Sequence, residues 1–187
     1  METSYCLGVG VFFRRKRLDR ATARVEIAKV LIDLKQLHKR AFFYRSRLET
    51  KIRDYTEKIS YISDPKLRDS YLKSIEMYRQ ALSAISSVEA TLELLIVRLE
   101  TLGLLGTSVK ELLMIKEVLR NIKGSAQLIP DLSLIAEDIS ERVSDLLEYF
   151  PVSRDLIVSA SAEAKSIIQE AEVVAKEKEK GSVALEF

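Results

Sequence analysis

An apolar stripe with coiled-coil spacing constrains the fold of this chain more than any other feature. In steps of four and three residues it spans residues 27–62, about ten helical turns, and a second such stripe spans residues 67–102. Between the stripes, Asp64 can cap a helix and Pro65 suits the first turn of that helix, where no amide donor is needed. The stripes therefore predict an antiparallel hairpin of two long helices, each roughly 55–65 Å long.

The core of the hairpin follows from the two stripes. Apolar side chains at seam positions are expected to pack between the arms, and each buried methylene contributes about 0.8 kcal/mol before entropy is counted. His38 also lies on the stripe and is predicted to be structural, because a long seam tolerates an occasional polar residue. The predicted core consists of Ile27, Leu31, Leu34, Leu48, Ile52, Ile59, Tyr71, Ile75, Leu82, Leu92 and Leu99.

Three shorter helices are expected after Gly103. The first two occupy residues 107–150, with Pro130 opening the second, and the third begins near Ser153 and decays into a Lys/Glu run. No segment alternates apolar and polar residues as a strand does, so the sequence predicts an all-α fold. The apolar faces of these helices are candidate contacts between subunits, through Leu112, Leu119, Ile135, Ile139, Val143 and Leu146.

Charge is unevenly distributed along the chain. Residues 14–58 carry fifteen Lys and Arg against six acids, a net charge of +9, whereas residues 131–187 carry six against thirteen, a net charge of −7. This asymmetry predicts either a polyanionic partner for the basic end or attraction between the two ends, which would close the monomer. The basic face of the first arm includes Lys35, Lys39, Arg40, Arg47 and Lys51.

Residues 1–17 form a separate segment, in which an apolar stretch is followed directly by four consecutive cations. Aromatic and aliphatic side chains beside Arg and Lys suit the boundary of an anionic bilayer, where each cation contributes about 1 kcal/mol. The alternative is that the segment packs against the hairpin or a neighbouring subunit. The predicted membrane-binding residues are Leu7, Val9, Val11, Phe12, Phe13, Arg14, Arg15, Lys16, Arg17, Arg20 and Arg24.

The residue inventory does not indicate an enzyme, a metal site or a cofactor. One His and one Cys, far apart in sequence, offer no nucleophile with a positioned base and no ligand cluster, and the glycines form no phosphate-binding loop. No apolar run approaches the roughly 18 residues that span a bilayer, and the N-terminus lacks a signal-peptide layout. The single cysteine fits a reducing compartment, so a cytoplasmic location is expected.

Residues 88–102, and above all their Arg98-Leu99-Glu100-Thr101 run, resemble the end of the second helix of archaeal ESCRT-III proteins, the CdvB group of cell-division proteins. Residues 115–124 and 129–138 resemble the next two helices of that group, including the proline that opens the fourth. The resemblance covers about residues 18–150. The resemblance to this family rests on the order of these segments, on their spacing and on the division of the chain into a basic and an acidic part.

The resemblance implies an ESCRT-III-like core over residues 18–150, with the hairpin at 18–102, followed by an acidic helix and tail at 151–187. It implies a subunit that polymerises, alone or with other ESCRT-III paralogues, into filaments on the inner face of the cell membrane or at the division site. Such filaments remodel and sever membranes in archaeal cell division or vesicle budding.

Two departures from the family pattern shape the expectation. The chain has no length left for a winged-helix module, so a short paralogue is expected, and the tail carries no clear motif for an AAA ATPase with an MIT domain. Two other functions stay open: a non-polymerising helical-bundle adaptor and a nucleic-acid-binding coiled coil. Nucleic acid is disfavoured because the sequence contains no recognised nucleic-acid motif.

Overall fold

The structure is a computed structural model that describes residues 20–103 and 109–183. Within these ranges the chain forms five α-helices and one short 3-10 helix, and no strand. The helices are α1 (Arg20–Ile59), α2 (Pro65–Gly103), α3 (Val109–Ser125), α4 (Pro130–Leu147) and α5 (Arg154–Val183), with the 3-10 turn at Ala126–Leu128. The predicted all-α fold, a long antiparallel hairpin followed by three shorter helices, is confirmed.

The connection between the two arms uses the predicted capping chemistry. Asp64 Oδ1 accepts a hydrogen bond of 2.9 Å from the amide of Lys66, which satisfies one free donor in the first turn of α2. α1 ends at Ile59, earlier than its stripe indicated, and the amides of Ser60 and Tyr61 bond to carbonyl groups three residues before them. The arms are therefore joined by a longer connection than the sequence suggested.

The last two helices differ from the expectation at their C-terminal ends. α4 stops at Leu147, and residues 148–150 continue as hydrogen-bonded turns toward Pro151, which disfavours a helical conformation in the residue before it. α5 does not decay in the Lys/Glu run but continues to Val183. Lys and Glu both favour helix, and their opposite charges alternate along this run, so nothing in it ends the helix.

The three shorter helices cover only one part of the hairpin. α3 packs against α4 and α5, α4 also packs against α1, and α5 also packs against α2. The apolar core that these helices share with the hairpin ends at Leu48 on α1 and at Ile85 on α2. We call residues 49–84, which lie beyond that core, the tip, and the remaining described residues the bundle.

α1 buries two faces in the bundle, one more than the coiled-coil pattern predicted. Leu34 and Ala41 lie on the predicted stripe, but Val30 and Leu37 lie off it and are equally buried. Val30 and Leu37 are seven residues apart, and a further seven residues lead to Tyr44, whose hydroxyl contacts α4. The second buried face is therefore the one that α4 covers.

The predicted hairpin core divides into fully and partly buried residues. Leu34, Ile75, Leu92 and Leu99 are buried. The others are half-buried: Ile27, Leu31, Leu48, Ile52, Ile59, Tyr71 and Leu82. Most of these lie in or next to the tip, where two helices alone leave both sides of their seam open to water.

Three tyrosines fill the seam of the tip. The ring centroid of Tyr55 lies 5.0 Å from that of Tyr71 and 5.5 Å from that of Tyr78, within the range of favourable edge-to-face contacts. A hydrogen bond between the side chains of Tyr55 and Tyr78 raises the pKa of the Tyr78 hydroxyl above its usual value of 10.0. The aromatic contacts thus give the tip a core of its own.

Candidate functional site

Most of the predicted membrane-binding residues lie outside the described part of the chain. Leu7, Val9, Val11, Phe12, Phe13, Arg14, Arg15, Lys16 and Arg17 all precede residue 20. Arg20 is the first residue of α1, and Arg24 lies exposed one turn further along. The involvement of these residues with lipid stays a prediction.

The side of α1 that faces solvent combines cations with large apolar side chains. Between residues 24 and 53, every exposed residue is basic, apolar or neutral and polar, and eight of the exposed residues are Lys or Arg. We define the outer face of α1 by its cations Arg24, Lys29, Lys35, Lys39, Arg47 and Arg53 and its apolar residues Val25, Ile32, Phe42 and Phe43. The sequence interpretation included most of these cations but none of the apolar residues.

The acids of the same stretch of α1 are turned away from this face. Glu26, Asp33 and Glu49 are half-buried, and each binds a cation. Glu26 binds Lys29, Asp33 binds Arg142 of α4, and Glu49 binds Arg45. Among the outer-face cations, Lys29 alone is paired with an acid of α1 in the described residues, so most of the positive potential of this face is retained.

A polar cluster joins α1 to the beginning of α4. Arg40 Nη1 lies 3.1 Å from Asp131 Oδ2, and the hydroxyl of Tyr44 donates a hydrogen bond of 3.0 Å to the same oxygen. That hydrogen bond, followed by burial, raises the pKa of Tyr44 above 10.0. Asp131 also lies in the first turn of α4, where the helix dipole favours a negative charge.

α5 is attached to the hairpin by a stripe of small residues and two charged contacts. Its buried face consists of Ala160, Ala164, Ile167, Ala171 and Ala175. Glu163 pairs with both Arg98 of α2 and Lys110 of α3, the second at 2.9 Å, and so links the two helices on either side of residues 104–108.

Near the other end of α5, Lys178 Nζ lies 2.9 Å from Glu93 Oε2 of α2. The hydrogen bond from Lys178 lowers the pKa of Glu93 below 4.5, although partial burial acts in the opposite direction. The charges of His38 and Arg45 lower it further, to a smaller extent. Glu93 is therefore ionised at neutral pH, and its pairing with Lys178 helps to hold the second half of α5 on α2.

The bundle is closed, and among the described residues the acidic end meets the basic arm through α4 alone, where Asp131 binds Arg40. α5 packs on α2 and α3, and within the described residues it makes no contact with α1. Two of the ion pairs that hold α4 and α5 on the hairpin have the reverse polarity, Arg142 with Asp33 and Lys178 with Glu93. Net charge averages over all faces of a helix, whereas docking is decided by the face that is buried, which on α5 is apolar.

A buried ion pair crosses the seam of the hairpin where the bundle meets the tip. Arg45 Nη1 lies 3.2 Å from Glu89 Oε1, and the Glu89 residue is only 5% exposed. His38, two turns earlier on the same stripe, is half-buried. Removing one partner of such a pair leaves an uncompensated charge, so these residues fix the alignment of the two arms more than they strengthen it.

The candidate subunit contacts lie inside the bundle. Leu112, Leu119, Ile139, Val143 and Leu146 are buried, and Ile135 is half-buried. In this closed arrangement the faces of α3 and α4 pack on each other, α1 and α5. A second subunit can therefore reach them only after the bundle opens, and their role in assembly stays a prediction.

The sequence interpretation missed the exposed phenylalanines of α1 and the ion-pairing glutamate of α5, for different reasons. Phe42 and Phe43 lie off the seam of α1, so the heptad phase already predicts that they are exposed. Glu163 gave no signal, because α5 alternates charges along its whole length and single residues do not stand out.

The described residues contain no helix that is both long and apolar enough to cross a lipid bilayer. In the same residues, no three His, Cys, Asp or Glu side chains come together in a way that could hold a metal ion.

Comparison with known proteins gives one informative similarity. The chain is 30% identical to cell division protein B3 of Sulfolobus acidocaldarius over 124 residues, which cover 66% of this chain and 73% of that protein. No family model and no solved structure matches the chain.

Proposed function

Since this chain belongs to the CdvB family of cell-division proteins, we propose that it is an ESCRT-III-like subunit of membrane-associated filaments. Its task is to remodel and sever membranes in cell division or vesicle budding, from the inner face of the cell membrane. The proposal assigns no catalytic step to the chain. Its partners are anionic lipid, further copies of itself and other ESCRT-III paralogues, and recruitment of an AAA ATPase stays open.

One observation carries the proposal: the outer face of α1 is positively charged over about eight turns of exposed helix, from Arg24 to Arg53. An anionic bilayer attracts such a face, and each cation near the surface contributes about 1 kcal/mol. A rod-shaped hairpin presents this face along a line, so neighbouring copies can lie side by side on the same membrane.

The closed bundle supports a subunit that assembles only when triggered. α3 and α4 carry the large apolar residues that a filament contact needs, and in the closed state these residues are buried in the same chain. Opening the bundle exposes them, and apolar faces exposed in many copies associate.

Negative-stain electron microscopy of the full-length protein tests the proposal. The protein is mixed with vesicles of equimolar phosphatidylglycerol and phosphatidylcholine, or with pure phosphatidylcholine vesicles as the neutral control. We expect filaments on the anionic vesicles, and co-sedimentation that weakens as salt is raised. A protein that stays monomeric and unbound at all concentrations and salt levels is a soluble adaptor. A protein that binds duplex DNA in preference to lipid at matched salt is a nucleic-acid-binding coiled coil.

A further inference from the structure

Four large apolar side chains on the outer face of α1 are exposed in the closed fold. Val25, Ile32, Phe42 and Phe43 are each more than half exposed, up to 59% for Phe43. Scattered exposed apolar residues are common, but these four share one face of one helix.

Three of these residues lie along one line of the helix, which we call the ridge. Val25, Ile32 and Phe43 are separated by seven and eleven residues, which at 100° per residue brings their side chains to within about 20° of this line. Phe42 lies about 100° around the helix from the ridge, with its ring 5.4 Å from the guanidinium of Arg45. The ring of Phe43 packs edge-on against that of Tyr44 at 6.1 Å.

Cations border the ridge on both sides. Lys29 and Arg47 flank it on the side of α4, and Lys35 and Lys39 flank it on the other. Lys29 and Lys35 have acidic partners, but Lys39 and Arg47 have no ion pair with any residue that the structure describes. Their long aliphatic stems can lie along an apolar layer while the charged ends reach outward to phosphate.

We propose that this ridge is a second lipid contact, separate from the N-terminal segment, in which Phe43, Ile32 and Val25 enter the boundary between headgroups and acyl chains. The inference rests on the proposed function, because it takes the anionic membrane as the partner, and it adds that α1 binds by insertion as well as by charge. An interfacial helix of this kind has an apolar line with Lys and Arg beside it.

The chemistry of the ridge favours lipid over the two other partners that a basic helix attracts. Val25 and Ile32 offer no hydrogen bond to a phosphate or a base, so pressing them against nucleic acid desolvates both without compensation. A second copy would have to bring both acids and apolar residues, which Leu134, Asp138 and Asp145 of α4 offer over a short stretch, whereas an anionic bilayer offers both along the whole ridge.

The absence of tryptophan from the chain permits a local test. In the full-length protein, Phe43→Trp places the one indole on the ridge, and Val158→Trp places it on the exposed surface of α5 as a matched control. With vesicles of equimolar phosphatidylglycerol and phosphatidylcholine, we expect Phe43→Trp to shift its emission to the blue and to be quenched by brominated acyl chains. Val158→Trp should show neither effect.

Sedimentation with the same vesicles gives an independent measurement. Because two large exposed apolar side chains of the ridge are lost from the bilayer, Ile32→Ser with Phe43→Ser should weaken binding about tenfold. The paired control Ile157→Ser with Val158→Ser removes similar exposed apolar area from α5 and should bind like the unmodified protein. Far-UV circular dichroism checks that both variants keep their helix content, and Ile32→Trp replaces the reporter if Phe43→Trp fails to fold.

The outcomes separate this inference from the proposed function. Sedimentation with vesicles but without a blue shift overturns the ridge and leaves membrane binding intact. No sedimentation of the unmodified protein overturns both. A blue shift without filaments supports the ridge and contradicts polymerisation. A blue shift that rises with protein concentration in the absence of lipid assigns the ridge to a second copy and overturns the inference. A blue shift that duplex DNA produces and vesicles do not assigns the ridge to nucleic acid and also overturns it.

Discussion

The tip and the bundle are built from the same two helices but are held together differently. In the tip, α1 and α2 share a narrow seam around three tyrosines, in which Ile75 is buried and the other aliphatic side chains are half-buried. In the bundle, the same helices are covered by α3, α4 and α5, and their inward-facing residues, such as Leu34, Leu37, Leu92 and Leu95, are fully buried. The chain therefore has one part that keeps its shape with two helices and another whose shape depends on the docking of three more.

The bundle is itself uneven, and this decides where it opens. α3 and α4 bury leucine, isoleucine and valine, whereas the docking face of α5 consists of four alanines and one isoleucine. Since apolar stabilisation scales with buried area, α5 is held more weakly per residue than its neighbours. α5 is accordingly the element whose release costs least, and its departure uncovers α2 and α3 while leaving the tip unchanged.

The largest effect is expected from a covalent lock on α5. Ala90 of α2 forms a small cluster with Ala171 and Ala175 of α5, so Ala90→Cys combined with Ala171→Cys or Ala175→Cys introduces two thiols into the same contact. With Cys6 replaced by Ser, the oxidised protein should form no filaments on anionic vesicles, and reduction should restore them. Electron microscopy provides the measurement.

The locked protein must be compared with its own reduced form, which has the same sequence. Filaments of equal number and length before and after reduction would show that assembly does not require α5 to leave, and the distinction between a fixed tip and an opening bundle would fail. Vesicle binding should persist in both forms, because the outer face of α1 is free in the closed state.

The next effect concerns stability. Leu119→Ala removes a fully buried side chain of α3 from the centre of the bundle and should reduce the free energy of unfolding by about 2–5 kcal/mol. Ile52→Ala removes a half-buried side chain of the tip, where water already reaches the seam, and should reduce it by about half as much or less. Urea denaturation of both variants measures the difference. Equal losses would mean that the tip is packed as tightly as the bundle.

The sequence predicted the tip and the two-helix seam well, because period and helix caps are local properties. The stripe placed Leu34, Leu92 and Leu99 correctly in the interior, and Asp64 caps α2 as expected. It did not predict the burial of Val30, because a second face on α1 is created only by the arrival of α4 from more than a hundred residues later.

The candidate site was less predictable for the same reason. That Leu119 and Val143 are apolar could be read from the sequence, but whether they meet another subunit or the same chain depends on the tertiary arrangement. The charge split correctly identified α1 as the basic element, whereas net charge could not tell that α5 would dock through alanines on α2. The exposure of Phe43 did follow from the heptad phase, although the pattern was used only to find the core.

The smallest effect is expected at the last charged contact of α5. Lys178→Gln removes the ion-pair partner of Glu93. Because both side chains are about half exposed, the docking of α5 should lose less than about 1 kcal/mol of free energy. Hydrogen exchange of α5 amides measures it as faster local opening, while global unfolding changes little. Lys165→Gln is the matched control, since Lys165 is an exposed lysine of α5 without an ion pair among the described residues.

The pH dependence of this effect identifies its origin. Because Lys178 lowers the pKa of Glu93 below 4.5, the contact contributes fully above pH 4.5 and is lost as pH falls through the lower pKa of the closed state. The difference in exchange between Lys178→Gln and the unmodified protein should therefore be constant near neutral pH and disappear in acid. A difference that persists after Glu93 is protonated would mean that Lys178 holds α5 by the packing of its aliphatic stem. The end of α5 around Lys178 would then be held on α2 by apolar contacts, and within the described part of the chain the charged contacts of α5 would be confined to Glu163.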